Sequence, residues 1–251
     1  MGSDVTRAHY KRLADKYDEN WAYSPEFIQW MTGAILDRLQ PEPGDLVMDL
    51  GCGTGLYARG LAERANTVVC ADLSSAMLAQ LPAGERLITL HAGVEELAEG
   101  RGAPPHDGYD AILLKEVLHH VADPPRILAG LTRLLRPGGR ILVVMLPTTI
   151  DYPLFEAALK LFRERQPDPE DIAAAMARSA LRTELTYDEF PLAFTVERYA
   201  QMVRDRYMSL LSSFDGAEIE AGISEIHRKH PGPEVRFRDR FAFVLGTKET
   251  V

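Results

Sequence analysis

The segment spanning residues 47–55 constrains the fold of this chain more than any other. It reads Val-Met-Asp-Leu-Gly-Cys-Gly-Thr-Gly, so a short apolar run meets Asp49, and glycines then alternate at Gly51, Gly53 and Gly55. The apolar run predicts a buried β-strand. The glycines predict a tight turn with positive φ angles, where the backbone passes close to a neighbour. A helix is expected over residues 56–64, with its amide-rich first turn directed toward whatever the turn holds.

The glycine spacing discriminates between nucleotide-binding turns. A dinucleotide fingerprint requires glycines at its first, third and sixth positions. Here the sixth position is Leu56, and the third glycine, Gly55, arrives one residue early. The spacing therefore argues against a nicotinamide dinucleotide. Taken alone, the turn is also compatible with a strand-to-helix connection that binds nothing.

A second acid strengthens the ligand-binding interpretation. Residues 68–72 read Val-Val-Cys-Ala-Asp, which predicts a second short strand ending in Asp72. A carboxylate at the end of the second strand of a doubly wound sheet can accept hydrogen bonds from ribose hydroxyls. Since Asp49 also stands two residues before the first glycine, the pattern resembles motif I of the class I S-adenosylmethionine-dependent methyltransferases that act on small molecules.

The resemblance implies a set of cofactor-binding residues. An acid at the position of Asp72 holds the ribose of S-adenosylmethionine in this family, and Leu73 and Met77 would cover one face of the adenine. Many relatives carry an Asp in the loop after the third strand; this chain has Gly93 and Val94 instead, which leaves backbone groups or Glu95 to read the adenine. The complete expected set is Tyr17, Asp49, Gly51, Cys52, Gly53, Gly55, Asp72, Leu73, Met77, Gly93, Val94, Glu95 and Lys115.

The remaining core segments follow in the order expected of this family. A third strand and its exit loop are predicted over residues 87–97, and a fourth strand over 109–114. Asp123 should cap a helix whose apolar positions have helical spacing; these positions are Ile127, Leu128, Leu131, Leu134 and Leu135. Residues 136–139, Arg-Pro-Gly-Gly, are expected to end that helix before a fifth strand over 141–146.

Two segments around this core are expected to decide the substrate. An amphipathic helix is predicted over residues 25–39, preceded by an arm with four aromatic residues, Tyr10, Tyr17, Trp21 and Tyr23. The resemblance implies that this arm folds over the cofactor as a lid, with Tyr10 and Tyr23 contacting substrate; the alternative is that the aromatics anchor the arm to the sheet.

The second segment follows strand five. It predicts helices over 152–165 and 168–181, strand six over 183–190, a helix capped by Thr195, a further helix reaching residue 229, and a closing strand over 240–248. Arg204, Arg206 and Tyr207 are candidates for binding an anionic acceptor. The whole arginine-rich surface of this region has two interpretations, an anion site or a solvated face balanced by acids.

The predicted fold class is α/β: a doubly wound, seven-stranded, mostly parallel sheet of the Rossmann-like methyltransferase type. It would carry an N-terminal helical lid and a helical cap inserted after strand five. The content of 46% hydrophobic residues suits one sizeable core, and no proline- or glycine-rich linker interrupts the chain. We therefore expect a single domain. Its parts are the lid (1–40), the cofactor-binding core (41–147), the cap with strand six (148–236) and the final strand (237–251).

Histidines after strand four are the candidate catalytic groups. His119 and His120 follow the strand end where the transferred methyl would lie, and histidine titrates in the range useful to a general base. Because consecutive residues on a turn should diverge, one histidine at most is expected to face the acceptor; the alternative is that they only pack or hydrogen-bond. Lys115 would hold a carboxylate of the substrate or cofactor, or would extend to solvent along the rim.

Composition limits the partners. The net charge of −9 repels phosphate backbones, so no nucleic-acid partner is expected. The longest apolar run, residues 141–146, is far shorter than the roughly 20 residues of a membrane span. Without an apolar N-terminal signal the protein is expected in the cytoplasm, with Cys52 and Cys70 reduced, as a monomer or homodimer. No clustered ligand set predicts a metal, which disfavours a metal-dependent catechol enzyme.

The sequence therefore predicts transfer of a methyl group from S-adenosyl-L-methionine to the O, N or C atom of a small molecule, with a bacterial biosynthetic pathway as the expected setting. No Asn/Asp-Pro-Pro-Tyr follows strand four, which disfavours amino methylation of adenine in nucleic acid. Two alternatives stay open: a methyltransferase acting on tRNA or a carrier-bound intermediate, and an inactive S-adenosylmethionine-binding regulatory subunit.

Overall fold

A computed structural model describes residues 24–81, 84 and 86–250 of the chain. The aromatic arm of the predicted N-terminal lid, with Tyr10, Tyr17, Trp21 and Tyr23, lies outside the described residues, whereas the predicted helix over residues 25–39 lies within them. The strands are β1 (Leu46–Leu50), β2 (Thr67–Asp72), β3 (Leu87–His91), β4 (Tyr109–Lys115), β5 (Leu135–Met145), β6 (Leu181–Thr195) and β7 (Glu234–Lys248).

The helices alternate with the strands along the described part of the chain. They are α1 (Pro25–Leu39), α2 (Ala58–Ala62), α3 (Ser75–Leu78), α4 (Val94–Ala98), α5 (Pro124–Thr132), α6 (Glu156–Arg165), α7 (Pro169–Arg178), α8 (Val196–Arg204) and α9 (Gly216–Lys229). Short 3₁₀ turns lie at Leu118–His120 and Ser209–Ser213.

The strands form one seven-stranded sheet in the order β3-β2-β1-β4-β5-β7-β6. Every neighbouring pair from β3 to β5 is parallel, and β7 runs antiparallel to both β5 and β6. The chain moves outward from β1 to β3 and then crosses to β4 on the other side of β1. Ligands of open α/β sheets bind outside the carboxyl ends of the strands at such a reversal. The predicted seven-stranded, mostly parallel sheet is confirmed.

Helices cover both faces of this sheet, as a doubly wound architecture requires. One face packs against α1, α2, α6, α8 and α9, and the other against α4, α5 and α7. Helix α1 shows how the sequence produces the packing. The Ser24 hydroxyl accepts a hydrogen bond from the Phe27 amide at 3.1 Å, and Pro25 begins the helix. Phe27, Met31 and Ile35 are then buried at four-residue intervals, and each contributes about 1.5–3 kcal/mol.

Helix α5 ends earlier than its apolar spacing predicted. It stops at Thr132, and Leu135 is already the first residue of β5. Residues 136–139 do not lie between the two elements. They form an irregularity inside the strand, because Tyr109 pairs with Leu135 while Ala111 pairs with Arg140. The helical assignment of Leu134 and Leu135 was wrong because pairing with β4 outweighs a continued leucine repeat.

Helix α2 is also shorter than the predicted 56–64. The exit loop after β3 contains a helical turn, α4. The largest difference concerns β6 and β7, predicted over 183–190 and 240–248. They pair along their full length, from Leu181 opposite Lys248 to Thr195 opposite Glu234. Strand β5 joins β7 only between Ala242 and Thr247. Residues 188–195 and 234–241 therefore make a two-stranded ribbon beyond the carboxyl end of β5.

Candidate active site

The glycine turn between β1 and α2 has the predicted backbone geometry. Gly51, Gly53 and Gly55 have φ angles of 77°, 56° and 78°. The amides of Gly51 and Cys52 donate to the carbonyl oxygen of Ala71 at 2.7 and 3.1 Å, which ties the turn to β2. A Cβ atom on Gly51 would lie 2.4 Å from Cγ2 of Val117. Glycine is therefore required at this position by both φ and the neighbouring loop.

Asp72 joins the end of β2 to this turn. One carboxylate oxygen accepts a hydrogen bond from the Gly53 amide at 2.9 Å, and the other accepts from the Ser74 amide at 2.7 Å. The residue is half-buried. Burial raises the pKa of Asp72 above its ordinary value, and the two amide hydrogen bonds oppose that shift. A carboxylate fixed in this way still has lone pairs for the hydroxyls of a ligand.

An exposed apolar surface lies next to Asp72. Leu73 is 45% exposed although it is a large aliphatic residue, whereas Met77 is buried. A Cβ atom on Gly93 would lie 2.8 Å from Cδ2 of Leu73, so the two loops approach closely and a larger residue would displace the exposed Leu73 side chain. Val94 is buried and Glu95 is exposed. The exposed apolar side chain of Leu73 can pack against a flat ring of a bound ligand, which would remove it from water.

Asp49 lies at the end of β1, almost fully buried. Burial, followed by the charge of Asp72, raises the pKa of Asp49 to about 7, and the charge of Lys115 opposes the shift. The side chain of Lys115 is half-buried, with Nζ 5.2 Å from the ring centroids of both Tyr57 and Phe241. Burial lowers the pKa of Lys115. Lys115 thus stands between the glycine turn and β7.

The loop after β4 departs from ordinary backbone geometry at its first residue. Glu116 has a φ angle of 55°, in the left-handed region that non-glycine residues seldom occupy. Its carboxylate accepts a hydrogen bond from the Leu146 amide at 2.8 Å, which fastens the loop to the end of β5. Burial raises the pKa of Glu116. Such strain occurs mainly where surrounding structure imposes it, often beside functional sites.

The prediction that the two histidine side chains diverge was wrong. His119 and His120 lie in the 3₁₀ turn, and their ring centroids are 3.8 Å apart at an interplanar angle of 51°. Both rings therefore share one location. Burial, followed by the nearby positive charge of Lys115, lowers the pKa of His119 to about 4. His119 is neutral at physiological pH and has a lone pair available to accept a proton.

Cys52 and Cys70 are both free thiols. Hydrogen bonding to Cys70 and burial raise the pKa of the Cys52 thiol far above its ordinary value. A thiol in this state is a poor nucleophile, because the reactive species is the thiolate. Cys52 therefore contributes its backbone to the glycine turn.

The three predicted residues of the cap occupy different environments. Tyr207 is buried, and its hydroxyl lies 2.9 Å from that of Tyr199. Arg204 is exposed and donates two hydrogen bonds to Glu220 at 2.8 and 3.0 Å. Arg206 donates to the carbonyl oxygen of Phe214 at 3.1 Å. Tyr207 therefore lies in the interior, while Arg204 forms a surface ion pair with Glu220, as expected of a solvated face whose arginines are balanced by acids.

Several residues at this edge of the sheet were not predicted. They are Tyr57, Ser74, Glu116, Val117, Tyr152 and Asp239. One signal was available: residues 235–243 alternate apolar residues inward, and Asp239 interrupts that alternation on the buried face. Tyr152 gave no such signal, since its contact with Asp239 joins residues far apart in sequence.

This arrangement fits a nucleoside ligand. A carboxylate for ribose hydroxyls, an exposed apolar side chain for a base, and a glycine turn that lets a ligand approach the backbone closely meet at the strand-order reversal. Across the described residues, no three of the His, Cys, Asp and Glu side chains are placed to hold a metal ion. None of the helices in the part of the chain that the structure covers is long and apolar enough to span a bilayer.

Comparison with known proteins identifies the family. A methyltransferase domain profile matches residues 48–141, which include the glycine turn and Asp72. A ubiquinone biosynthesis O-methyltransferase of Vibrio parahaemolyticus is 30% identical over 165 residues, 61% of this chain and 68% of the relative. The chain belongs to the class I S-adenosylmethionine-dependent methyltransferases. The ubiquinone biosynthesis O-methyltransferase of Dechloromonas aromatica is 34% identical over 123 residues, 47% of this chain and 49% of that protein.

The methyltransferase fold is also shared with solved structures. The YcgJ protein of Bacillus subtilis has a TM-score of 0.63 at 17% identity, covering 87% of this chain and 97% of that one. At that identity the likeness concerns the fold alone. The chain spans about half the length of the first curated methyltransferases it matches. S-adenosylmethionine is the cofactor of this family, which agrees with the glycine spacing that disfavoured a nicotinamide dinucleotide.

Proposed function

We propose that this protein transfers a methyl group from S-adenosylmethionine to a hydroxyl group of a small molecule. The observation that carries the proposal is the Asp72 carboxylate, bonded to the amides of Gly53 and Ser74 at the strand-order reversal. The names of the curated relatives favour oxygen as the methylated atom. The net charge of −9 favours a small molecule over tRNA.

The residues described above would hold the cofactor by complementary chemistry. Asp72 would accept hydrogen bonds from the two ribose hydroxyls, and Leu73, with Met77 behind it, would pack against the adenine. The glycine turn and Asp49 would lie beside the methionine end, where a buried carboxylate complements positive charge. When bound, the cofactor supplies a methyl group that its sulfonium makes electrophilic.

The contribution of the chain itself is then placement and proton handling. Holding the acceptor in line at near-attack distance is the main requirement for methyl transfer from a sulfonium. We assign proton acceptance to the histidine pair, since His119 is kept neutral by burial and by Lys115. The low pKa of His119 makes it a weak base, so loss of the general base is expected to slow turnover by about 100-fold, the low end of what such a group contributes.

An inactive regulatory subunit would bind the same cofactor, because Asp72 and the glycine turn serve binding in both cases. The deciding experiment is calorimetric titration with S-adenosylmethionine, S-adenosylhomocysteine and NAD, followed by a screen of hydroxylated acceptors with a labelled methyl donor. Micromolar binding of the first two ligands and methylation of an acceptor support the enzyme. Binding without methylation of any acceptor favours the regulatory subunit, and binding of NAD alone contradicts the cofactor assignment.

The two free thiols bear on the cellular compartment in which the protein would act. We place the protein in the cytoplasm, where Cys52 and Cys70 would stay reduced. We expect a monomer or a homodimer, which light scattering of the purified protein would determine.

A further inference from the structure

A carboxylate occupies the buried face of β7. Val235, Phe237, Asp239, Phe241 and Phe243 alternate along the strand and are all buried, and Asp239 is 0% exposed. Four of these five residues are apolar, as a strand that packs its inner face on a core requires. Burying an ionised carboxylate among them costs several kcal/mol unless partners compensate for the lost water.

Only one of the two carboxylate oxygens of Asp239 has a hydrogen-bond partner among the described residues. The Tyr152 hydroxyl donates to Oδ1 at 2.5 Å. The other oxygen, Oδ2, is buried and has no hydrogen-bond partner among the described residues. Burial raises the pKa of Asp239 to about 7, although the Tyr152 hydrogen bond and the charge of Lys115 oppose that shift. A carboxylate oxygen in this state is an acceptor without a donor.

Asp239 lies on the same edge of the sheet as the cofactor site. Pairing between β5 and β7 stops at Met145 opposite Ala242, so Asp239 is beyond the carboxyl end of β5. Its charge acts on Lys115, whose Nζ lies over the ring of Tyr57, directly after the glycine turn. Lys115 thus interacts electrostatically both with Asp49, beside the cofactor turn, and with Asp239.

Phe237 and Phe241 flank Asp239 on the buried face of β7, and Tyr152 is hydrogen-bonded to it. The Tyr152 ring lies 4.9 Å from that of Phe237, and Phe241 follows two residues after Asp239 on the same face. The charge of Asp239 also helps to raise the pKa of Tyr207, the buried cap residue. Such a lining suits a flat apolar body that carries one polar group.

We propose that Oδ2 of Asp239 binds the methyl acceptor by accepting a hydrogen bond from the O–H group of an aromatic or apolar body. The inference rests on the proposed function and adds the residue that selects the acceptor. The competing explanation is structural: Asp239 would only hold Tyr152 and balance Lys115. The two explanations differ in whether a donor-bearing ligand is preferred over the same ligand without its donor.

The test uses small fluorinated probes and ¹⁹F NMR with the whole protein saturated with S-adenosylhomocysteine. The probes are 4-fluorophenol with a neutral donor, 4-fluorobenzylammonium with a charged donor, and 4-fluoroanisole with none. The variants are Asp239→Asn and, as a matched control on the exposed face of β7, Arg238→Gln. Calorimetry with S-adenosylhomocysteine tests the proposed function separately on each protein.

The wild type is expected to bind 4-fluorophenol about 10- to 150-fold more tightly than 4-fluoroanisole, as one hydrogen bond to a charged group predicts. Arg238→Gln should keep that preference, and Asp239→Asn should lose it while still binding S-adenosylhomocysteine. Tighter binding of 4-fluorobenzylammonium alone would overturn the inference, because the site would then select a positive charge and not a hydroxyl donor.

Equal binding of all three probes by the wild type, or an unchanged preference in Asp239→Asn, would overturn the inference and leave the proposed function intact. If Asp239→Asn does not fold, an NMR titration of the wild type with isotope-labelled tyrosine replaces the variant. The Tyr152 signal is assigned by its absence from the spectrum of Tyr152→Phe. 4-Fluorophenol should shift the Tyr152 signal and 4-fluoroanisole should not. Absence of that shift at saturation would equally overturn the assignment.

Discussion

Replacement of Asp72 is the most direct test of the cofactor site. Asp72→Ala removes the charged acceptor that the two ribose hydroxyls would use. Hydrogen bonds to a charged group contribute about 1.5–3 kcal/mol, and each 1.4 kcal/mol is a factor of ten in affinity. Loss of one such bond should therefore raise the dissociation constant for S-adenosylhomocysteine by about 10- to 150-fold, and loss of both should raise it further.

The same change also removes a structural role. The Gly53 and Ser74 amides lose their acceptor, which held them at 2.9 and 2.7 Å. Both residues are half-buried, so water can replace part of the loss, and about 1 kcal/mol of unfolding free energy per bond is expected to disappear. Asp72→Asn keeps one acceptor oxygen and should fall between Asp72→Ala and the wild type in both affinity and stability.

The assay is calorimetric titration with S-adenosylhomocysteine, with circular dichroism to verify the fold. Asp107→Ala is the matched control, because Asp107 is an exposed loop residue. Its affinity should equal that of the wild type. If Asp72→Ala bound within about twofold of the wild type, the ribose contact would be wrong, since even the weakest bond in the range above exceeds twofold.

Four further predictions concern residues of the same site. Gly51→Ala should lower Tm, since its Cβ would lie 2.4 Å from Val117 at a φ of 77°, and adding Val117→Ala should restore part of the loss; no recovery would contradict the clash. Of His119→Ala and His120→Ala, one should lose turnover while still binding S-adenosylhomocysteine; two near-wild-type rates would exclude both as the base. The His119 pKa is lowered to about 4, so stability should fall as pH drops from about 6.5 to 4, and less so in His119→Ala. The Asp49 pKa is raised to about 7, so stability should fall as pH rises from about 4 to 7. Asp49→Asn should therefore have the higher Tm at pH 8 and no advantage near pH 4; equal pH dependence in thermal melts would contradict the shift.

Local signals predicted some elements to the residue. Helix α1 spans Pro25–Leu39 as expected, because Ser24 caps it, Pro25 begins it and its buried positions repeat every four residues. The start of α5 after Asp123 follows the same logic. Its end did not, since Leu134 and Leu135 continue the leucine pattern while Leu135 is already paired with Tyr109. Strand pairing with a distant partner is not visible in a helical repeat.

Some residues of the candidate site were predictable from the sequence and others were not. The glycine turn and Asp72 were predictable, because each is a short motif whose backbone requirements lie within a few residues. The cap was not, since Arg204 and Tyr207 are three residues apart yet one lies in a surface ion pair and the other in the core. Helical spacing would place residues three apart on one face, but α8 ends at Arg204 and Arg206 has a left-handed φ of 55°, so Tyr207 leaves the helix and turns inward.

By itself, the sequence determined the order of strands and helices, the positive φ angles of the glycine turn and the acid that faces it. These depend on neighbouring residues, through steric limits on φ and ψ and through capping. The tertiary structure alone decided that Lys115 stands between Tyr57 and β7, and that Tyr152 meets Asp239. Those contacts join residues that lie 58 to 126 positions apart along the chain. The contacts with β7 exist because this strand lies antiparallel beside β5, which brings the last strand to the edge where the first strand ends.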